Sequence, residues 1–158
     1  MILYNTLIDL SRNVFFYKKL SLPDTFETRI YLMFFHFSIM MIISKKKGKK
    51  FDQKSYDNFF HNIENNLREL GYGDVAVNKR MKELNKILYD ILLKIETTND
   101  RKNDFKINAK LVLKYLNDLK DEKSGKFVEF ETYLVEFYNF CFELSLENMV
   151  RDAVKFRN

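Results

Sequence analysis

"IYLMFFHFSIMMIISKKKGKK", residues 30–50, is the stretch on which the reading of this chain turns. Fourteen residues, Ile30 to Ile43, carry His36 and Ser38 as their only polar positions, and five lysines (Lys45, Lys46, Lys47, Lys49 and Lys50) follow. As a helix, fourteen residues reach only about 21 Å. A hydrocarbon core about 30 Å thick needs around 20 apolar residues. Arg29 and Glu27 stop the run from extending backwards. An interfacial segment would need a polar face, and this run has none. It therefore reads as the central helix of a bundle, with no transmembrane span. The lysines sit where cations suit the negative end of a helix dipole, and Gly48 is placed as a C-terminal stop.

The flanking sequence gives this central helix its neighbours. Asp24 followed by Glu27 reads as a capping box that opens it, so its span is about 24–44. Before it, Leu3, Leu7, Leu10, Val14 and Tyr17 form a core-facing stripe on a helix over roughly 2–19. After it, Tyr56, Phe59, Phe60, Ile63, Leu67 and Leu70 mark a helix over 52–70 that ends at "GYGD". Asp74 is expected to cap the next helix, about 75–97, whose Val77, Met81, Leu84, Leu88, Ile91 and Ile95 make a packing seam. The polar "ETTNDRKND", 96–104, reads as a mobile loop. A helix at 105–120 and the turn "KDEKSGK" lead to an aromatic helix at 126–144, apolar on most sides and so buried on more than one. A helical tail, 145–158, closes the chain. The sum is one all-α domain over 1–158, a bundle of six to seven helices.

Composition agrees. Four glycines and one proline in 158 residues leave little punctuation, and 46% hydrophobic with 31% charged content suits a globular chain. The net charge of +5 is a weak pointer to phosphates, anionic lipid or acidic proteins. One cysteine, Cys141, permits no intrachain disulfide, and two histidines make a multi-histidine metal site a poor expectation. The N-terminus lacks a basic n-region, and Asp9 and Arg12 interrupt any signal-peptide core, so a cytoplasmic chain is expected. No Gly-rich phosphate loop and no zincin motif is present. Catalytic residues, metal ligands and cofactor contacts are accordingly expected to be none.

Two ordered blocks remain: "FYKKLSLPDTFETRIYLMFFH" and "NNLRELGYGDVAVNKRMKEL". Together they resemble the ubiquinol–cytochrome c chaperone family, the cytochrome b assembly factors. In the first block the family's aromatic-Tyr pair, Pro-Asp-Thr turn, Arg and His fall on Phe16 and Tyr17, on Pro23, Asp24 and Thr25, and on Arg29 and His36. In the second, Leu67, Arg68, Glu69, Leu70, Gly71, Gly73, Asp74, Val77 and Lys79 fit. Three positions depart: Phe35 precedes the His where the family has Leu, Glu64 replaces an Asp, and Asn78 stands where Gly or Pro is usual. The likeness covers about residues 1–97. The absence of a targeting extension makes it look like a bacterial member.

The resemblance implies a non-enzymatic chaperone that binds newly made cytochrome b for the ubiquinol–cytochrome c reductase complex. It also implies the ribosome or a second assembly factor as partners. It places the chain in the cytoplasm, with peripheral contact at the inner membrane. Asp24, Arg29, His36, Arg68, Glu69 and Asp74 are expected to form a buried polar network, and the lysines at 45–50 to meet an anionic surface. A basic module for ribosome, RNA or membrane is the alternative.

Overall fold

A computed structural model describes residues 2–96, 105–120 and 123–157. Over these, the fold is seven α-helices with no strand: α1 (Ile2–Ser11), α2 (Phe26–Lys46), α3 (Gln53–Glu69), α4 (Asp74–Lys94), α5 (Ala109–Tyr115), α6 (Gly125–Phe142) and α7 (Leu146–Asp152). The central helix is α2. It packs against α1, α4, α6 and α7, and its Phe34 and Phe37 meet the rings of Phe59, Phe60 and Tyr56 on α3. By length and composition α2 could cross a membrane, yet 67% of its most apolar window is buried inside the protein. Its neighbours already cover the surface a bilayer would take.

The ends of the helices follow from local chemistry, and several differ from expectation. The single helix predicted over 2–19 breaks at Ser11. There the Ser11 hydroxyl donates to the Ile8 carbonyl, and the Asn13 side chain accepts from the Phe15 amide. Short polar side chains offer the backbone such local partners and so compete with the helix. The chain re-enters as a π-helical turn, Phe15–Lys19, which turns Phe15 and Phe16 onto Tyr133 of α6, with ring centroids 5.4 and 4.8 Å away.

At the start of α2 the cap is Thr25 and not Asp24. The Thr25 hydroxyl oxygen accepts from the Thr28 amide at 3.2 Å. Glu27 faces Arg80 of α4 instead of closing a capping box. Gly73, not Asp74, takes the N-cap position of α4. The helix predicted at 105–120 is shorter. Residues 105–108 are extended, and an antiparallel bridge joins Ile107 to Glu96. Only α5 and a 3-10 turn, Asn117–Leu119, are helical there. Apart from Glu96, the predicted mobile loop at 96–104 lies outside the described residues.

Two helix ends need glycine. After α2, Gly48 has φ +76°, its amide donates to the Lys45 carbonyl, and the Lys49 amide reaches the Ser44 carbonyl. After α3, Gly71 has φ +97°, with the same pair of bonds to Arg68 and Leu67. Both are the left-handed C-terminal closure that favours glycine.

The two ends of the chain meet. The Thr6 hydroxyl of α1 donates to the Val150 carbonyl of α7 at 2.8 Å. Phe156 packs on Tyr133, Phe137 and Phe140. The Arg157 guanidinium lies 5.0 Å from the Tyr133 ring centroid and 5.1 Å from that of Phe15.

The cap assignment is testable. Thr25→Ala should destabilise the protein by about 1 kcal/mol, whereas Asp24→Ala, which removes only an exposed ion pair, should stay within about 0.5 kcal/mol. Urea denaturation of the two variants separates them, and the reverse ranking would restore Asp24 as the cap.

Candidate functional site

The two sequence blocks meet at one end of the bundle. The first turns of α2 and the last turn of α3 line one space, and α1 packs on both helices. Between them is a cleft of about 430 Å³ lined by Tyr4, Ile8 and Arg12 of α1 and its end, Phe26, Arg29, Ile30 and Met33 of α2, and Asn66, Glu69 and Leu70 at the end of α3. Arg29 and Glu69, from separate blocks, thus face one space. Buried Ile30 and Met33 line it alongside the charged Arg12, Arg29 and Glu69. The Asn66 amide donates to the Tyr4 hydroxyl across the α1–α3 junction. Tyr17 sits close by, its hydroxyl donating to the Ser11 carbonyl at 2.6 Å. Burial pushes its phenol up to about 12, and the nearby Asp24 carboxylate adds to this against Arg29 and Arg12.

The charged members of the blocks do not form the buried network expected of them. Arg29 donates to Asp24 at 3.0 Å, and both remain substantially exposed. Arg68 pairs with Asp74 across the α3–α4 corner, also in water. Glu69 is exposed. Taking such charges out of water would cost several kcal/mol per ion. At helix ends the long side chains reach solvent instead. The corner itself presents apolar groups: Leu70, Tyr72 and Val75 are 59%, 42% and 85% exposed. Leu70 lines the cleft, and Tyr72 and Val75 follow it along the α3–α4 corner.

The family model for the ubiquinol–cytochrome c chaperones matches residues 18–124. The chain belongs to that family. No curated protein and no solved structure matches it. The family match takes in α2, α3, α4 and α5 and stops at Ser124, the N-cap of α6. It runs further towards the C-terminus than the resemblance read from the two blocks, and begins just after Tyr17. In this family member, therefore, the α2 and α3 walls of the cleft fall inside the matched stretch. The α1 wall falls outside it.

Of the six residues expected to form that network His36 alone is buried, and it does not line the cleft. Its Nδ1 is 2.6 Å from the Leu32 carbonyl and its Nε2 is 2.7 Å from the Tyr133 hydroxyl. A carbonyl only accepts, so Nδ1 carries the proton and donates. Nε2 then accepts from Tyr133. The imidazole is a neutral bridge between α2 and α6, boxed edge-on by Phe16, Tyr133 and Phe137. Burial lowers its pKa to about 4. Cys141, also buried, has its thiol pushed up to about 12, so it stays protonated and unreactive. Among the described residues no cluster of three or more His, Cys, Asp or Glu is placed to hold a metal.

The lysine run divides. Lys46 reaches Glu96 at 2.6 Å and the Tyr138 hydroxyl at 3.1 Å. Lys47 donates to the Phe142 and Leu144 carbonyls at 2.6 and 2.7 Å. It thereby satisfies orphan acceptors at the end of α6. These two are tied to the fold and are not free to meet an anionic surface. Lys45, Lys49 and Lys50 stay exposed.

Sequence reasoning missed Tyr4, Ile8 and Arg12. Their spacing of four places them on a second stripe of α1, beside the Leu3–Leu7–Leu10 stripe that was read as core.

Two outcomes follow from these contacts. Above about pH 6.5 His36 is neutral both folded and unfolded. Between 6.5 and 4 only the unfolded chain takes up the proton, so stability should fall as pH drops through that window, by about 3 kcal/mol in full. His36→Phe should lose about 1–3 kcal/mol at pH 7, because the Tyr133 hydroxyl is orphaned. It should also show a shallower decline to pH 4.5 than the parent; an equal slope would remove His36 as the cause. For the lysines, Lys47→Met should cost about 1–2 kcal/mol by thermal or urea melts, while Lys50→Met should stay within about 0.5 kcal/mol.

Proposed function

We propose that this chain is a non-enzymatic assembly chaperone that holds an apolar helical segment of newly made cytochrome b, at the cytoplasmic face of the inner membrane, until the ubiquinol–cytochrome c reductase complex can take it up. The observation that carries this is the cleft to which Arg29 of one block and Glu69 of the other contribute, beside the apolar Ile8, Ile30 and Met33. Pockets of about 300–1,000 Å³ bind compact apolar groups. This one, near 430 Å³, takes the anchor side chains of a helix and not its whole girth. A helix laid in a groove is read through anchors at i, i+3, i+4 and i+7. The exposed Leu70, Tyr72 and Val75 prolong the groove for the later anchors. The charged rim supplies partners for the polar residues that flank a membrane segment, and lets the free chaperone stay hydrated.

Deleting the gene should lower haem b absorbance and the amount of the ubiquinol–cytochrome c reductase complex while other respiratory complexes hold their level. Complementation with Leu70→Lys, which blocks the groove at an exposed position, should restore the protein but not the complex. A deletion strain with an unchanged complex would remove the reading.

A further inference from the structure

The outward face of α4 is a second surface, which meets the α3–α4 corner at Val75, and its reading rests on the membrane location proposed above. On a helix turning about 100° per residue, Val75, Lys82, Lys86 and Leu93 fall within about 20° of one line, and Lys79 and Tyr89 within about 40° of it. All six are exposed, with Val75 at 85%, Leu93 at 78% and Tyr89 at 52%. The line runs about 27 Å along the helix. Lys79, Lys82 and Lys86 have no ion pair among the described residues. The acids bordering the face are engaged elsewhere. Glu83 binds Arg80 at 3.0 Å, and Asp90 is held by Lys94, Lys114 and Tyr115. The opposite face of α4 is buried against α2 and α3.

We infer that this face of α4 docks on an anionic lipid bilayer. Three ammonium groups in a row match the phosphates of a headgroup layer. The apolar side chains at both ends of the row match the boundary beneath it, where tyrosine and leucine are favoured. Nucleic acid fits the face less well. The line carries no arginine for bidentate phosphate contact, and its one ring offers no row of stacking platforms. The lysines at 45–50 are not part of this face, and two of them are already bound to the fold. Docked this way, α4 would bring Val75, and with it the Leu70–Tyr72 lip of the cleft, to the bilayer surface.

Co-sedimentation of the full chain with vesicles tests this. Binding to phosphatidylglycerol–phosphatidylcholine vesicles should exceed binding to pure phosphatidylcholine and weaken with salt. Each of Lys79→Ala, Lys82→Ala and Lys86→Ala should weaken it roughly 5-fold, and the triple variant on the order of 100-fold. Leu93→Ser should reduce binding at high salt as well as low. The triple variant Lys45→Ala, Lys49→Ala, Lys50→Ala should bind like the parent. Circular dichroism melts should be alike for all, since every altered side chain is exposed. The inference is overturned if the vesicles show no preference for phosphatidylglycerol, if the control triple variant loses as much as the α4 variant, or if the chain is retained by RNA alone.

Discussion

A helix that is apolar on every side cannot rest on a surface; it must be surrounded. That constraint, set by α2, organises everything else here. α1, α4, α6 and α7 pack on it directly, and α3 reaches it through Phe59 and Phe60. Burial of this kind is non-directional, so it does not by itself say which neighbour lies where. The His36 bridge supplies direction. Its one neutral tautomer joins the Leu32 carbonyl to the Tyr133 hydroxyl and so pins α6 to one flank of α2. Polar groups buried this deeply are stable only when fully satisfied, and this one is.

With the middle of α2 enclosed, function is left to its ends. At its N-terminal end the bundle does not close between α1, whose Tyr4, Ile8 and Arg12 form one wall, and the end of α3 at Glu69 and Leu70. The gap they leave is the cleft. Its charged residues are those that a chain end can hold in water, and its apolar floor is the continuation of the core. At the C-terminal end the bundle does close: Gly48 reverses the chain, and Lys46 and Lys47 fasten the turn to α6. The same helix therefore has one open and one sealed end.

Most of the architecture was legible because it rests on periodicity. The spine, the α3 and α4 stripes, the Gly48 and Gly71 stops and the aromatic α6 all follow from spacing along the chain. What was not legible rests on competition between near-equal local partners. Thr25 and Asp24 are both good caps, and only the structure shows that Asp24 turns to Arg29. Asn13 in a strongly periodic stripe gives no sequence warning that it will end α1. The cleft was half legible. The Arg29 and Glu69 sides lie in recognisable blocks, but the Tyr4–Ile8–Arg12 side is an ordinary helical stripe until α3 is seen beside it. The polar network failed for a different reason: its members do pair, Arg29 with Asp24 and Arg68 with Asp74, but at helix ends where both pairs stay in water.

The junction of the two chain ends bears on how such a molecule comes to be folded. Thr6 and Val150 are 144 positions apart, and Phe15 stacks on Tyr133. Contacts of such long range add a loop-closure cost, and those to residues 133–156 can form only once most of the chain has been made. α1 is made before α2, whereas the α6 and α7 flanks of the spine stay bare until residues beyond 124 arrive. A helix apolar enough to pass for a membrane span thus keeps open flanks while the rest of the chain is made. The chaperone is itself, for that interval, a chain with an apolar helix awaiting cover.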